Sequence, residues 1–340
     1  MMSKRIGYID AMRGFTMILV VYSHVCTFCL GDSNMAFNDV FFLFRLPCFF
    51  FISGWLFNLT DPVWPIIKKK FMVQIVPTLF FLFLLAPPPD FFHQFGAFKG
   101  GYWFTFALFI YFLLYIGSYL LFRRYQGKKI DVIMFLVALV ISMSAYWYDI
   151  NYSRLSSMQT WQKDILGLLS FVTWRYYLFF FLGTLARKYY HHFLQLTSNV
   201  KLVAIVVIAF FVISKIPQSD IFIREYLRFA IGGILGMTMV FAAFRFLYTY
   251  SRLSSLSSQL SPLEFVGTRT LDIYLLHYFF LPRFLMAYSP QLHSYNNSLI
   301  EFLVIMLIAL IVLLLSLLTS YTIRLSPFLG HYMFGAKYDC

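Results

Sequence analysis

The chain has 340 residues, of which 61% are hydrophobic and 12% charged, and its mean hydropathy of +0.75 is more apolar surface than one soluble core can hide, so a polytopic membrane protein is expected. The formal net charge of +13 would suit a nucleic-acid partner, but the basic residues stand in short clusters between apolar runs, as positive-inside loops do, which argues against one. The four cysteines, Cys26, Cys29, Cys48 and Cys340, form no His/Cys cluster at zinc spacing, and no metal is expected.

Stretches with roughly the 20 residues a bilayer needs fall at about 9–31, 39–58, 71–87, 102–122, 130–148, 170–187, 200–216, 225–248, 270–288 and 299–323, which predicts an all-α transmembrane helix bundle of about ten spans. Lys4 and Arg5 before the first run imitate a signal peptide. Asp10 and Arg13 interrupt it, however, and no small-x-small cleavage site follows, so an uncleaved first span is expected. Taking alternate loops, one side receives Lys4/Arg5, Lys68–Lys70, Arg123/Arg124/Lys128/Lys129, Arg187/Lys188, Arg245/Arg252/Arg269, Arg324 and Lys337. The other holds scattered Lys99, Arg154, Lys163 and Arg224 among Asp32, Asp90, Asp149, Asp164, Asp220 and Glu225. Both termini are therefore expected in the cytoplasm. With no long loop and no internal repeat, a single integral membrane domain over 1–340 is expected.

The first span carries Ile9-Asp10-Ala11-Met12-Arg13-Gly14 and runs through Val20-Val21-Tyr22-Ser23 to His24. On a helix, the eleven steps of about 100° from Arg13 bring His24 back to within about 20° of the same face, roughly 16 Å further along the axis. Ionisable groups are costly in hydrocarbon and face a bundle interior, a partner or a water-filled cavity, so two on one stripe mark a path inward from one surface.

The second span contains Arg45-Leu46-Pro47-Cys48-Phe49-Phe50-Phe51-Ile52-Ser53-Gly54-Trp55. Its proline and glycine call for close neighbours, hence a central helix, and Arg45 either snorkels to headgroups or serves a substrate cavity. Lys68-Lys69-Lys70 reads as a topological signal or, through Lys70, as an anchor for nucleotide phosphates. Gly101-Tyr102-Trp103-Phe104 opens the fourth span, with Trp103 either an interfacial belt residue or a substrate platform. The 149–167 stretch, with Asp149, Arg154, Gln159, Trp161, Lys163 and Asp164, is the longest and most polar outer loop; aromatic and polar groups together suit a sugar. Arg175 lies just inside the sixth span, and the Gly232, Gly233 and Gly236 cluster of the eighth reads as close helix packing. Phe265-Val266-Gly267-Thr268-Arg269-Thr270-Leu271-Asp272-Ile273-Tyr274-Leu275-Leu276-His277 forms the second polar constellation, in which a lone His277 reads first as a packed, hydrogen-bonded residue.

Several of these stretches carry a resemblance. The I-D-x-x-R-G run with V-V and His24, the P-x-F-F-F-x-S-G pattern of Pro47–Gly54, the W-F-x-x-A-L box from Trp103, the F-F-x-x-G-x-x-x-x-K ending at Lys188 and the G-x-x-x-L-x-I-Y-L-L-H run to His277 are similar to the acyltransferase-3 family of integral membrane O-acyltransferases. The resemblance implies an acyl-CoA-dependent enzyme that esterifies a hydroxyl of a carbohydrate or other hydroxylated acceptor at the outer side of the membrane. The acyl donor is most simply acetyl-CoA, and the membrane the bacterial inner membrane. Acyl transfer needs a cation near the inner surface for the donor's phosphates and a base for the acceptor hydroxyl. Arg13, with Lys70, is expected on the donor and His24 as the catalytic base. Asp10, Arg45, Ser53, Trp103, Tyr274 and His277 are the substrate-side or supporting candidates, with Asp272 or Tyr274 considered for orienting His24. The alternative is a transporter or flippase of polar or lipid-linked saccharides, whose pathway the same residues would line.

Overall fold

A computed structural model describes residues 6–32, 37–60, 62–86, 95–96, 99–152, 158–253 and 261–335. Lys4, Arg5, Asp90, Arg154, Lys337 and Cys340, which entered the topological and cysteine readings, lie outside the described residues. The fold is all-helical, without a strand among the described residues. In chain order the helices are α1 (Gly7–Cys29), α2 (Asn38–Trp55), α3 (Val63–Lys70), α4 (Val76–Leu85), α5 (Trp103–Phe122), α6 (Lys128–Asn151), α7 (Thr160–Leu168) and α8 (Tyr177–Lys188). There follow α9 (Tyr190–Ser198), α10 (Val200–Ser214), α11 (Phe222–Leu253), α12 (Ser261–Thr268), α13 (Thr270–Phe280), α14 (Ser289–Ser294), α15 (Ser298–Arg324) and α16 (Pro327–Phe334).

Among the described residues, α1, α5, α6, α11 and α15 are long and apolar enough to cross a membrane. Up to seven spans result if the bent pairs Thr160–Leu168 with Phe171–Lys188 (48°) and α9 with α10 (79°) each count as one. The other three expected stretches are helical but do not meet that test. Helix α2 has 18 residues and carries Asn38, Asp39, Arg45 and Pro47; a π-helical turn, Phe71–Ile75, separates α3 from α4; and α13 has 11 residues and ends where Pro282 follows.

The described parts of the 149–167 stretch, read as an outer loop, are largely helical. Helix α6 continues to Asn151, and α7 starts on a capping box in which the side chains of Gln159 and Gln162 take each other's backbone N–H. Its polar composition hid an apolar stripe, Trp161, Ile165 and Leu168, at i, i+4 and i+7.

The chain divides into two compact units, Met1–Phe49 with Tyr190–Pro217 and Arg228–Ile323, and Phe50–Tyr189 with Gln218–Leu227 and Arg324–Cys340. The first unit is organised on α1 and α12, whose backbones touch. A Cβ on Gly14 would stand 2.1 Å from the Leu263 carbonyl oxygen, and one on Gly267 would stand 1.8 Å from that of Asp10. Of the α11 glycines, Gly236 packs tightly, since a Cβ there would meet Phe44 Cβ at 2.4 Å, whereas at Gly232 the nearest atom would be an ordinary 3.4 Å away. Cys26, Cys29 and Cys48 are free and buried.

The second unit repeats the device. A Cβ on Gly54 would meet the Phe180 carbonyl oxygen at 1.9 Å and one on Gly183 that of Phe51 at 2.0 Å, so α2 and α8 also meet backbone to backbone. Arg187, expected as a topological charge, donates from Nη1 to the Trp55 carbonyl at 2.8 Å and so serves the carbonyl end of α2. Arg175 pairs with Asp149. Lys188 pairs with Asp131 at 2.6 Å.

Lys99 takes the left-handed backbone conformation, with φ of 47°, and its ammonium is buried. Nζ lies 3.2, 3.0, 3.1 and 2.9 Å from the carbonyl oxygens of Phe95, Gly96, Gly167 and Leu168. Burial pushes this group down to about 8, so it stays charged at neutral pH and ties two segments far apart in sequence. Charge-assisted bonds of this kind are worth about 1.5–3 kcal/mol each. Lys99→Met is therefore expected to speed amide exchange at Ser170 and Tyr102 by about tenfold or more, and unchanged exchange there would show that the ammonium does not hold the turn.

Candidate active site

The site lies in the first unit and begins with the continuity of α1. No proline or interior break interrupts Gly7–Cys29, so Arg13 and His24 do share a face. That face meets α13. Arg13 Nη2 donates to Thr270 Oγ1 at 2.7 Å, and Asp10 lies 3.8 Å from Arg13 Nη1. Two turns further along α13, His277 reaches His24, with Nε2 and Nδ1 2.7 Å apart.

The same order of contacts on both helices means that α13 runs in the direction of α1. Eleven residues on α1 rise roughly 16 Å and seven on α13 roughly 10 Å, and the long guanidinium side chain covers the difference. Thr270 and His277 form a stripe at i and i+7 that mirrors the Arg13–His24 stripe. The close approach at Gly14 and Gly267 brings both stripes into contact.

The two imidazoles are coplanar within 9°, with ring centroids 4.9 Å apart. At that separation a nitrogen pair 2.7 Å apart lies in the plane of both rings, as a hydrogen bond requires. The protons follow from the far end of the chain of contacts. His277 Nδ1 is 3.0 Å from the Ile273 carbonyl oxygen, which can only accept, so Nδ1 donates and carries the proton. In the neutral pair His277 Nε2 is then an acceptor, His24 Nδ1 donates to it, and the lone pair of His24 sits on Nε2. His277 is fully buried, whereas His24 is half-buried, so His24 is the member of the pair that can meet a substrate. Phe28 and Tyr278 flank His24 at 5.6 and 5.1 Å between ring centroids.

Tyr274 is buried with its ring 6.0 Å from that of His277. Asp272 is buried too, bonded by Ser320 Oγ at 2.5 Å and 3.8 Å from Arg269 Nη1. The group that touches His24 in the position considered for Asp272 or Tyr274 is thus His277, because seven residues separate it from Thr270 and bring it to the α1 face. Arg45 is buried and donates from Nη1 to Asn38 Oδ1 at 2.7 Å, so it points back along its own helix, and it stands within electrostatic reach of His24.

Lys70, Ser53 and Trp103 belong to the second unit. Lys70 Nζ lies 4.1 Å from the Phe112 ring centroid, a cation–π contact. Trp103 is half-buried, its ring 6.3 Å from Phe50 and 6.2 Å from Tyr176, so it is part of an aromatic core. Ser53 is half-buried on α2.

The two motifs that form the histidine pair, Ile9–His24 and Phe265–His277, thus fold onto one another. A family described as an acyltransferase domain matches residues 6–321, nearly the whole chain and both motifs with it. The chain belongs to the acyltransferase-3 family. No curated protein and no solved structure matches it. The acyltransferase-3 match together with the apolar helices makes this chain a multi-pass membrane acyltransferase.

Proposed function

We propose that the protein moves an acyl group, most simply acetyl, from cytoplasmic acyl-CoA to a hydroxyl of a carbohydrate or other hydroxylated acceptor at the outer face of a bacterial inner membrane. In this reading the chain crosses the membrane about ten times, with both termini inside, as the basic-loop alternation suggests. The observation that supports the chemistry best is the His24–His277 pair, which leaves a lone pair on the more accessible ring. His24 Nε2 takes the proton of the acceptor hydroxyl as its oxygen attacks the thioester carbonyl carbon. The C–S bond breaks, and the departing thiolate receives the proton back from Nε2. While His24 is positively charged, its Nδ1–H bond to His277, itself held by the Ile273 carbonyl, stabilises the charge. Direct transfer of this kind needs no acyl-histidine intermediate.

Arg13 serves the donor's phosphates. The roughly 16 Å between Arg13 and His24 along α1 suits the extended pantetheine arm. Mass spectrometry of surface glycans from a strain with and without the gene should show the loss of an ester mass. Transport of a saccharide with no change in esters would overturn the reading in favour of a flippase.

A lost charge-assisted contact costs about 1.5–3 kcal/mol. Arg13→Ala is therefore expected to raise the Kd for acetyl-CoA about 10- to 150-fold in isothermal titration. Thr270→Val, which removes the hydrogen bond but keeps the guanidinium, should change it far less. Equal loss in both variants would make Arg13 a packing residue.

A further inference from the structure

The second unit contains a cavity of about 710 Å³ between the end of α6, helix α7 and the Phe95–Gly96 turn. That volume falls in the roughly 300–1,000 Å³ range of small-molecule sites. Nothing in the proposed acyl-transfer step uses it. We propose that this cavity is a binding site for a neutral saccharide. The proposal rests on the reading that the acceptor is a carbohydrate, and it gives that carbohydrate a place on the protein separate from the reacting histidines.

The lining carries the argument. Tyr148 and Tyr152 present two aromatic rings, 5.6 Å apart between centroids and inclined at 74°. Tyr152 is 50% exposed, which leaves a face for the C–H side of a sugar ring. Around them stand two carboxylates, Asp149 and Asp164, and one ammonium, Lys163, whose Nζ lies 5.9 Å from the Tyr152 centroid. Carboxylates accept from hydroxyls and an ammonium donates to them, so the wall can serve both roles that a polyhydroxylated ligand offers.

The charges also select against other ligands. Asp149 is offset by Arg175 and Asp164 by Lys163, and the Lys99 ammonium beneath the floor is buried on four carbonyl oxygens, so the lining itself presents no surplus positive charge to hold a phosphate, a nucleotide or a polyanion. The floor of the cavity is preformed. Four lining residues, Phe95, Gly96, Gly167 and Leu168, are those whose carbonyls the buried Lys99 ammonium holds, so little ordering is required on binding.

Saturation-transfer NMR on the full chain in lipid nanodiscs, without any acyl donor, tests this. The probes are maltotriose and triacetylchitotriose as free neutral glycans, a synthetic lipid-linked neutral trisaccharide, and trigalacturonic acid as the acidic counterpart. At least one neutral glycan should bind, and Tyr152→Ala and Asp164→Asn, both at exposed positions, should each weaken it about tenfold or more. Binding of a free probe assigns the site to free glycans; binding of the lipid-linked probe alone assigns it to lipid-linked ones. The proposal is overturned if no neutral form binds, if the acidic probe binds better, or if both variants bind as the parent does. Ester formation by the parent is measured separately, with acetyl-CoA added. Intact saccharide binding without ester formation by the parent would therefore overturn the acyl-transfer reading and leave this one standing.

Discussion

Replacing His24 by alanine is expected to lower the rate of acyl transfer about 10²–10⁴-fold, the usual effect of deleting a general base, while leaving expression and acetyl-CoA binding unchanged. His277 should behave differently, because it acts through His24. His277→Leu fills the buried position with an apolar group and leaves the His24 Nδ1–H without its acceptor, so the imidazole loses both its orientation and its tautomer preference. Partners that only orient a reactive ring typically contribute about 10–100-fold. His277→Gln places an amide oxygen near the former Nε2 and should recover most of that loss, since it can still accept from His24 Nδ1. A residue that merely packs would not distinguish leucine from glutamine in this direction. The rates are to be measured on protein of normal yield, as transfer of labelled acetyl groups from acetyl-CoA. His24→Ala activity above about a tenth of the parent rate would make His24 structural, and equal activity of His277→Leu and His277→Gln would remove the hydrogen-bonded pair from the mechanism.

The second large effect is on stability. Gly267→Ala puts a methyl group 1.8 Å from the Asp10 carbonyl oxygen, and Gly14→Ala puts one 2.1 Å from that of Leu263. The obstructing atoms are backbone of a facing helix, so neither can swing aside as a side-chain tip would, and α1 and α12 have to separate. Overpacking typically costs about 1–3 kcal/mol, and contacts this short against backbone belong at or above the top of that range. Gly267→Ala is expected to lower the yield of folded protein sharply in fluorescence-detected size exclusion. It should also cost activity in whatever folds, because the same contact aligns Thr270 and His277 with Arg13 and His24. Gly117→Ala is the control: its Cβ meets nothing within 4 Å, and alanine is the better helix former by about 1 kcal/mol. Equal behaviour of Gly117→Ala and Gly267→Ala would mean that the α1–α12 contact is looser than described.

Much of this molecule was legible without coordinates, and the reason differs from element to element. Apolar length found ten stretches that are helical where described, because a bilayer demands a run of about 20 residues, but only five to seven of them are long and apolar enough to cross a membrane. Helical periodicity alone put Arg13 and His24 on one face, because α1 is regular from end to end. The periodicity of α7 went unseen, because nine residues bounded by polar ones look like a loop when composition is weighed before spacing. The i, i+7 stripe of Thr270 and His277 was equally available, yet it said nothing about which stripe it would face. Local sequence thus determined the secondary structure and the polar faces. Only the tertiary structure decided that His277 is the partner of His24, that Lys99 binds carbonyls rather than water, and that Gly14 and Gly267 bear on each other's helices. Each of those is a contact between residues distant in the chain, and its register is set by how closely two backbones can approach, a quantity that no single helix contains.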